Sequence, residues 1–320
     1  MNSLTKRRLA PDELEAIVTK AFGGNVSLLS SEELKDGYFS SAYSLSLSNG
    51  NNVVLKVAPA SNVTQMRYEK NIMQVEVKVM RMVKQHGIIP VPDVYLFDQE
   101  RTVIDGDYFI MEYLNGQPYN KLKDTLAPER QHAIEHSLGV LHRGFHTIRG
   151  EAFGSLIFPD KQSASWHEAF MMMAEDLLLD CVDAAIELPA DPAHMLRYFA
   201  ANKAAMDEVT TPSLVHWDLW NGNVFVDDRT GGITGLIDWE RAFWGDPLME
   251  YYFRPFEKPE SFLQGYGFRP ETDNHWARMR KYDLYLNLIL CVEQVFRGYN
   301  NPDHHKWAQE NLWSFWKQLA

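Results

Sequence analysis

LVHWDLWNGNVFV, residues 214–226, is the stretch that decides the fold of this chain. It holds the pattern His-x-Asp-x-x-x-x-Asn, which runs from His216 through Asp218 to Asn223, and it ends in a β-branched and aromatic run. A turn and a second apolar run follow, and the second run ends in Asp238. The two runs predict a β-hairpin, which would bring Asn223, at the start of one strand, close to Asp238, at the end of its partner.

Three polar side chains are thereby predicted to meet at one end of a small apolar sheet. Mg²⁺ takes hard oxygen ligands and keeps several waters, so Asn223 and Asp238 are the candidate metal ligands. Asp218 is the candidate carboxylate that accepts or orients the proton of an attacking hydroxyl. Each residue alone is as well explained by a turn or a strand start, but the three together favour phosphoryl transfer. Zinc is excluded because no third His or Cys is nearby, and His216 is predicted to support the loop through a hydrogen bond.

The rest of the chain divides into a β-rich part and a helical part. Alternating apolar and polar residues around Asn49-Gly50-Asn51 predict a β-hairpin, and apolar spacing predicts a helix over residues 65–85, ended by Gly87. The other predicted elements are a short helix from Pro11, strands over 94–97 and 108–114, helices over 128–148, 166–188 and 192–209, a β-rich island over 214–238, and helices from 246 onward. The predicted fold class is α+β, with a small β-rich N-terminal lobe, residues 1–113, and a larger, mainly helical C-terminal lobe, residues 114–320.

Composition excludes several classes of protein. The chain has 320 residues, and its 31 Lys and Arg against 43 Asp and Glu give a formal net charge of −12, which argues against a nucleic-acid partner. Its two cysteines, Cys181 and Cys291, make no disulfide framework and have no zinc spacing. The longest apolar stretch, residues 284–292, is too short to span a membrane, and no signal peptide is expected, so the prediction is a soluble, cytoplasmic protein.

The His-x-Asp-x-x-x-x-Asn segment resembles that of the aminoglycoside phosphotransferase and choline kinase group, which has the bilobal protein-kinase-like fold. The resemblance covers most of the chain. It implies that Asp218 is the catalytic aspartate and that Asn223 and Asp238 are the two metal ligands. Lys56 matches the strand lysine that reaches the nucleotide phosphates, and Glu76 matches the helix glutamate that pairs with this lysine.

From the residues alone, the lysine and its partner stay open. Lys56 alternates with apolar neighbours, so a solvent-facing strand position is an alternative, and this is the usual place of a lysine. Glu69 competes with Glu76 for the pairing role. Glu76 is preferred because the apolar residues after it continue the helix toward Pro90, as in the family.

The nucleotide contacts rest on two further segments. Residues 36–42 lie where the family covers the phosphates, but they lack a Gly-x-Gly-x-x-Gly pattern. Backbone N–H groups and the hydroxyls of Ser40 or Ser41 would hold phosphate oxygens there, and an ordinary hairpin loop is the alternative. In the predicted connection between the lobes, the backbone of Glu112 and Leu114 would bond the adenine edge, and a buried strand leaving the sheet fits the same residues.

The predicted activity is that of a Mg²⁺-dependent kinase that moves the γ-phosphate of ATP or GTP to a hydroxyl of a small molecule. An aminoglycoside or another antibiotic is one candidate acceptor. The alternatives are a metabolic kinase of the choline, fructosamine or homoserine type and a catalytically silent nucleotide-binding regulator. A protein kinase is disfavoured because no glycine follows Asp238-Trp239 and no activation segment precedes Asp246, which is predicted to cap the next helix. Glu250 stands where many relatives carry Asp, so its part in bracing the catalytic loop stays open.

The acceptor pocket is predicted in the helical lobe, within residues 166–209 and 251–299. Its candidate acidic lining would suit a polycation and consists of Glu168, Asp176, Asp180 and Glu293. Acidic surface helices are the alternative, since they are common in proteins of this composition. Three tryptophans would build a pocket for a larger apolar acceptor or fill the core, namely Trp166, Trp244 and Trp276.

Overall fold

The N-terminal part of the chain is built on an antiparallel sheet whose strands alternate in burial, as Ser41–Leu47 does. In the computed structural model, which describes residues 4–35, 37, 39–254, 260–299 and 301–319, the strand order of this sheet is β1-β2-β3-β5-β4. The strands are β1 Leu28–Leu34, β2 Ser41–Leu47, β3 Asn52–Val57, β4 Val94–Asp98 and β5 Tyr108–Glu112. The hairpin predicted around residues 49–51 is the β2–β3 pair.

Both faces of this sheet are covered by a helix, because successive strand residues point to opposite sides. Helix α1, Pro11–Phe22, packs against the face that carries Leu45 and Leu55. Helix α2, Ile72–His86, packs against the face that carries Val54. Since Lys56 follows Val54 by two residues, it lies on the α2 face.

Helix α2 begins later than the sequence predicts. The expected helix over 65–85 is divided by Asn71, whose φ of 57° places it in the left-handed region. A short 3₁₀ turn, Arg67–Glu69, precedes the break. The predicted end is correct, since Gly87 adopts φ 66° and its N–H bonds back to Lys84.

After Glu112 the chain leaves the N-terminal sheet and joins a small second one. There β6, Gln117–Pro118, pairs with β10, Val224–Val226, and β10 pairs with β11, Ile233–Leu236. Gly116 allows this approach, because it has φ 107° and a Cβ there would lie 2.4 Å from the carbonyl oxygen of Val226. A third sheet has the order β8-β7-β12-β9 and contains β7 Phe153–Gly154, β8 Gln162–Ser163, β9 Ser213–Val215 and β12 Phe243–Gly245.

Helices make up the rest of the C-terminal part. They are α3 Tyr119–Leu122, α4 Pro128–Phe145, α5 Trp166–Asp183, α6 Pro192–Ala200, α7 Lys203–Asp207, α8 Glu260–Tyr266, α9 Asp273–Arg297 and α10 Pro302–Leu319. The predicted helix over 192–209 is broken at Asn202, with φ 51°, and the one over 166–188 stops before Ala185, with φ 53°. Among the described residues, no helix is long and apolar enough to cross a membrane.

Aromatic side chains fill the core between α5 and α9. Trp166 is buried and donates its indole N–H to the hydroxyl of Tyr282 at 2.7 Å. That hydroxyl in turn donates to Asp246 at 2.8 Å. Asp246 also accepts from the N–H of Leu248 at 3.1 Å and so caps the turn that follows it, as the sequence predicts.

Candidate active site

The segment that decides the fold becomes a loop, a 3₁₀ turn and a hairpin. We call residues 216–220 the Asp218 loop. The turn Asn221–Asn223 follows it, and the N–H of Ile237 donates to the carbonyl of Asn223 at 3.1 Å. This bond places Asp238 beside the start of β10, as the hairpin predicts. The side-chain amide of Asn223 donates to the backbone carbonyl of Asp218 at 2.8 Å, so the hairpin and the loop are tied together.

Glu250 holds the Asp218 loop from beneath. Its fully buried carboxylate accepts the backbone N–H of His216 at 2.5 Å and that of Trp217 at 3.2 Å. The His216 ring lies 2.9 Å from the carbonyl of Ile237, which only accepts, so Nε2 carries the proton. Burial lowers the pKa of His216, which keeps the ring neutral. His216 therefore supports the loop, as predicted, and Glu250 braces it although many relatives have Asp there.

Three carboxylates surround the ammonium of Lys56, and we call them the carboxylate cluster. Lys56 Nζ lies 2.7 Å from Glu76, 2.6 Å from Asp238 and 3.0 Å from Glu240. The carboxylate oxygens of the cluster lie within 4.8 Å of one another. Glu69, the competing partner, lies elsewhere and bonds Arg297 at 2.7 Å. The Lys56–Glu76 pair that the resemblance implies is therefore present in the structure.

One ammonium does not balance three carboxylates, of which Glu76 and Glu240 are buried and Asp238 is partly exposed. Burial raises the pKa of Glu76 to about 8, against the opposing effect of Lys56, and it also raises the pKa of Glu240. Burial disfavours the charged form of Asp238 as well, but Lys56 outweighs it and holds the pKa of Asp238 below its ordinary value. The cluster therefore keeps a proton near neutral pH and has room for a further cation.

Asp218 faces a buried arginine. The Nε of Arg241 lies 3.7 Å from its carboxylate, and the Nη2 of Arg241 lies 3.0 Å from Glu293. The guanidinium also lies over the rings of Trp217 and Tyr68, 5.7 and 5.8 Å from their centres. Burial raises the pKa of Asp218 to about 7, against the opposing effect of Arg241. A carboxylate that titrates near neutral pH is suited to general-base work.

The phosphate-covering segment is described in part, because Asp36 and Tyr38 lie outside the described residues. Ser40 and Ser41 are buried, and the hydroxyl of Ser41 accepts the backbone N–H of Arg7 at 2.8 Å. The ring of Phe39 lies under the guanidinium of Arg297, at 5.1 Å. This contact joins the β1–β2 loop to the C-terminal end of α9.

The predicted adenine contacts lie at the end of β5. The N–H of Glu112 donates to the carbonyl of Asp93 at 2.8 Å, and the Glu112 carboxylate accepts the N–H of Asp93 at 3.1 Å. The side chain of Leu114 packs over Gly235, where a Cβ would lie 2.3 Å from it. The N–H of Glu112 is thus engaged within the sheet, and an adenine contact would rest on its carbonyl and on Leu114.

The acidic residues predicted to line the acceptor pocket have partners. Asp176 lies 2.7 Å from Lys161, Asp180 pairs with Arg67, and Glu293 pairs with both Arg241 and Arg297. Glu168 accepts the hydroxyl of Ser163 at 2.6 Å. Of the tryptophans, Trp166 and Trp244 are buried and Trp276 is exposed. Residues 255–259 of the predicted acceptor region lie outside the described residues.

Glu240 and Arg241 have places in the site that the sequence did not assign. Both lie in the 3₁₀ turn Trp239–Arg241, directly after Asp238, and α2 packs against this turn. Their only signal in the sequence is this adjacency to a candidate metal ligand. The long-range partner of Arg241, Glu293 on α9, leaves no local pattern.

A lysine–glutamate pair on a strand and a helix, facing an Asp-Asn-Asp set on a loop and hairpin, defines a protein of the kinase-like class. Residues 31–282 match the phosphotransferase enzyme family, APH. This chain belongs to that family, and its fold is the bilobal α+β fold that the resemblance implies.

Curated relatives include two long proteins and one short one. A probable acyl-CoA dehydrogenase of Arabidopsis thaliana is 24% identical over 55% of this chain and 21% of its own length. Acyl-CoA dehydrogenase family member 10 of Mus musculus is also 24% identical, over 77% of this chain and 22% of its own length. The chain thus spans about a fifth of the length of these two relatives. A probable ketoamine kinase of Vibrio parahaemolyticus is 28% identical over 71% of this chain and 75% of its own.

Solved structures share the fold over nearly the whole chain. A protein assigned as fructosamine-3-kinase of Thermobifida fusca has a TM-score of 0.68 at 19% identity, over 96% of this chain and 100% of that one. The streptomycin–ATP complex of APH(2″)-IIa has a TM-score of 0.63 at 17% identity, over 96% and 97%. The GDP complex of aminoglycoside 2′-phosphotransferase-IIIa has a TM-score of 0.62 at 14% identity, over 97% and 100%. At these identities the likeness is one of fold.

Proposed function

We propose that this protein is a Mg²⁺-dependent kinase that moves the γ-phosphate of ATP or GTP to a hydroxyl of a small molecule. The observation that carries the proposal is the 2.6 Å contact between Lys56 and Asp238, residues 182 positions apart. It joins the N-terminal sheet to the hairpin that follows the Asp218 loop. The family and the nucleotide-bound relatives support it. Such a reaction draws on cytoplasmic nucleotide, and the proposal includes that compartment.

The nucleotide would lie between the N-terminal sheet and the Asp218 loop. Lys56, held by Glu76, would orient the phosphates once the nucleotide displaces part of its carboxylate contacts. The backbone and hydroxyls around Ser40 and Ser41 would cover the phosphates. The backbone of Glu112 and Leu114 would hold the adenine edge.

Two residues would hold the metal. Asn223 donates its amide N–H to the carbonyl of Asp218, which leaves its Oδ1 as the ligand atom, and Asp238 offers a carboxylate. These are the hard oxygen donors that Mg²⁺ takes, and the negative excess of the carboxylate cluster favours a cation there. The residues present therefore fit the metal. When bound by these residues, Mg²⁺ would supply positive charge that offsets the negative charge developing during transfer.

Asp218 would act on the acceptor. Its carboxylate would accept a hydrogen bond from the acceptor hydroxyl and take the proton as the phosphoryl group transfers. Glu250 and Asn223 hold the backbone of its loop, so the carboxylate needs little rearrangement to reach this position. The acceptor is a small molecule by analogy with relatives whose names cover aminoglycosides and ketoamines.

The test of the proposal is the substitution Asp218→Asn, which keeps the shape of the side chain and removes the base. We expect phosphoryl transfer to fall by about 10³-fold, within the range of general-base catalysis. Mg²⁺–ATP should still raise the melting temperature of the variant, because Asp218 does not bind the nucleotide. Steady-state kinetics and thermal-shift titration measure the two effects.

The matched control is Asp228→Asn, the same change at an exposed position in the turn after β10. It should transfer phosphate at the wild-type rate. Wild-type turnover by Asp218→Asn would overturn the assignment of the base. Stabilisation of the wild type by Mg²⁺–ATP with no transfer to any acceptor would favour the silent nucleotide-binding regulator.

A further inference from the structure

A cavity of about 400 Å³ lies beside the carboxylate cluster, and we call it the α5 cavity. Its walls come from α5, from the segment 154–161, from the residues before α2 and from the turn after Asp238. Glu240 and Arg241 form one end of it, and these two residues contact Lys56 and Asp218. A molecule in this cavity would therefore contact Arg241, the side chain that faces the proposed catalytic carboxylate.

The wall of the α5 cavity is mostly apolar. Its larger apolar side chains include Phe158, Met172, Met173, Leu177, Phe243 and Tyr285. The two methionines are flexible, so this wall can adjust to ligands of different shape. An apolar body gains free energy here because its surface and that of the wall both leave water.

The charges of the cavity are balanced. It is lined by as many cationic as acidic side chains, namely Arg67, Lys70, Lys161 and Arg241 against Asp160, Asp176, Asp180 and Glu240. Two of the acids have their own cations, Asp176 with Lys161 and Asp180 with Arg67, and Glu240 shares Lys56 with the rest of the carboxylate cluster. An ammonium group entering the cavity would lose its water and would have to break one of these pairs, which is unfavourable.

Two polar groups of the wall lack a hydrogen-bond partner among the described residues, the hydroxyl of Tyr68 and the Nε–H of Arg241. The side chain of Arg241 is nine-tenths buried, and its Nε–H has no hydrogen-bond partner among the described residues. The carboxylates of Asp218 and Glu293 already flank Arg241, so no further anion is needed to balance its charge. An uncharged oxygen would satisfy this N–H, and since Nε itself lies 3.7 Å from the Asp218 carboxylate, an oxygen bonded to it would lie near that carboxylate.

We infer that the acceptor is an uncharged alcohol with an apolar body, which fills the α5 cavity and presents an oxygen to Arg241 and Asp218. This inference rests on the proposed kinase function. It excludes polycations such as aminoglycosides, although the net charge of the chain is negative. The acids that would attract a polycation, Asp176 and Asp180, are already in ion pairs.

The test compares two acceptors of equal size, 1-heptanol and 6-amino-1-hexanol, which differ by a methyl group in place of an ammonium. Transfer from Mg²⁺–ATP is measured for both, and for the series from 1-butanol to 1-heptanol. We expect kcat/KM to rise by about fourfold for each added methylene, the usual effect of burying one. We expect 1-heptanol to exceed 6-amino-1-hexanol by at least about tenfold.

A second variant tests the charge argument by itself. Lys161→Met removes the partner of Asp176 and leaves an unpaired carboxylate in the wall. The ratio of kcat/KM for 1-heptanol to that for 6-amino-1-hexanol should fall by about tenfold, because the ammonium then finds a partner. The control is Lys203→Met, the same change at an exposed lysine on α7, which should keep the wild-type ratio.

Binding is followed separately through tryptophan fluorescence, since Trp217 lines the cavity. The inference is overturned if 6-amino-1-hexanol or kanamycin is the better acceptor. It is also overturned if 1-heptanol neither reacts nor gives a saturable fluorescence change. Failure of the kinase function is a different result, since Mg²⁺–ATP would then be consumed with no acceptor, kanamycin and both alcohols included, whether or not the nucleotide stabilises the protein.

Discussion

The carboxylate cluster and the α5 cavity lie on two sides of Glu240, and their charges are arranged in opposite ways. In the cluster, one buried ammonium faces three carboxylates. In the cavity, Asp176 and Asp180 each have their own cation. Burying uncompensated charge costs stability, so a chain keeps it only where a ligand completes the balance. This difference supports our proposals that the carboxylate cluster binds a cation and that the α5 cavity binds a neutral molecule.

Replacing a lysine by methionine in each of the two regions is the strongest test of this difference. Lys56→Met leaves the cluster without its cation, and we expect kcat/KM for the nucleotide to fall by about 10²–10³-fold, as when a preorganised electrostatic contact is lost. The metal-free variant should also unfold at a lower temperature and recover when Mg²⁺ is added. Kinetics and thermal melting with and without Mg²⁺ measure both effects.

Lys161→Met in the cavity serves as the counterpart of this variant. Asp176, its partner, is one quarter exposed, so water can solvate the carboxylate that is left. We expect the melting temperature to change little and to be insensitive to Mg²⁺. An equal loss of stability in both variants would contradict the difference between the two regions.

The parts of the site that the sequence predicted are those held together by short stretches of chain. Asn223 and Asp238 are brought together by one hairpin, and the strand before Lys56 and the helix around Glu76 have clear apolar patterns. The ion pairs of the cavity were missed because Arg67 and Asp180 lie 113 residues apart and no local pattern joins them. The acidic residues of α5 therefore suggested a polycation pocket, and the structure pairs them instead.

Backbone reversals explain the errors in the helices. Asn71 and Asn202 both adopt left-handed conformations and divide stretches whose apolar spacing is helical throughout. Asparagine tolerates this conformation better than most residues, so each break had a weak signal. The break at Asn71 matters for the site, because it lets the 3₁₀ turn Arg67–Glu69 line the α5 cavity instead of extending α2.

Arg241 lies where the carboxylate cluster and the α5 cavity meet, and its substitution is a further test of the difference between them. Its guanidinium lowers the pKa of Asp218, so Arg241→Met should raise that pKa and move the acid limb of kcat/KM about one unit higher in pH. The loss of activity should then be about tenfold larger at pH 6 than at pH 9. The pH profile of phosphoryl transfer measures this.

Two further results define the role of Arg241. Glu293 keeps Arg297 as a partner at 3.4 Å, so of the two carboxylates beside Arg241 only Asp218 loses its cation. Arg241→Lys keeps the charge and should restore most of the wild-type profile. A loss of activity that is the same at every pH would mean that Arg241 acts through the fold or the acceptor contact and does not tune Asp218.

The smallest expected effect concerns the proton that the carboxylate cluster retains. Because burial raises the pKa of Glu76 to about 8, the folded protein binds more protons than the unfolded chain between pH 4.5 and 8. The stabilisation by this group is complete below pH 4.5 and is lost progressively as the pH rises to 8 and above, so the free energy of unfolding of the metal-free protein should fall between pH 5 and pH 8.5. Glu76→Gln replaces the protonated carboxyl by a neutral amide and should flatten this decline, whereas Glu310→Gln, at an exposed position on α10, should keep it. Urea unfolding at several pH values measures the slope, and a slope that persists in Glu76→Gln would place the proton on Glu240, the other member of the cluster whose pKa burial raises.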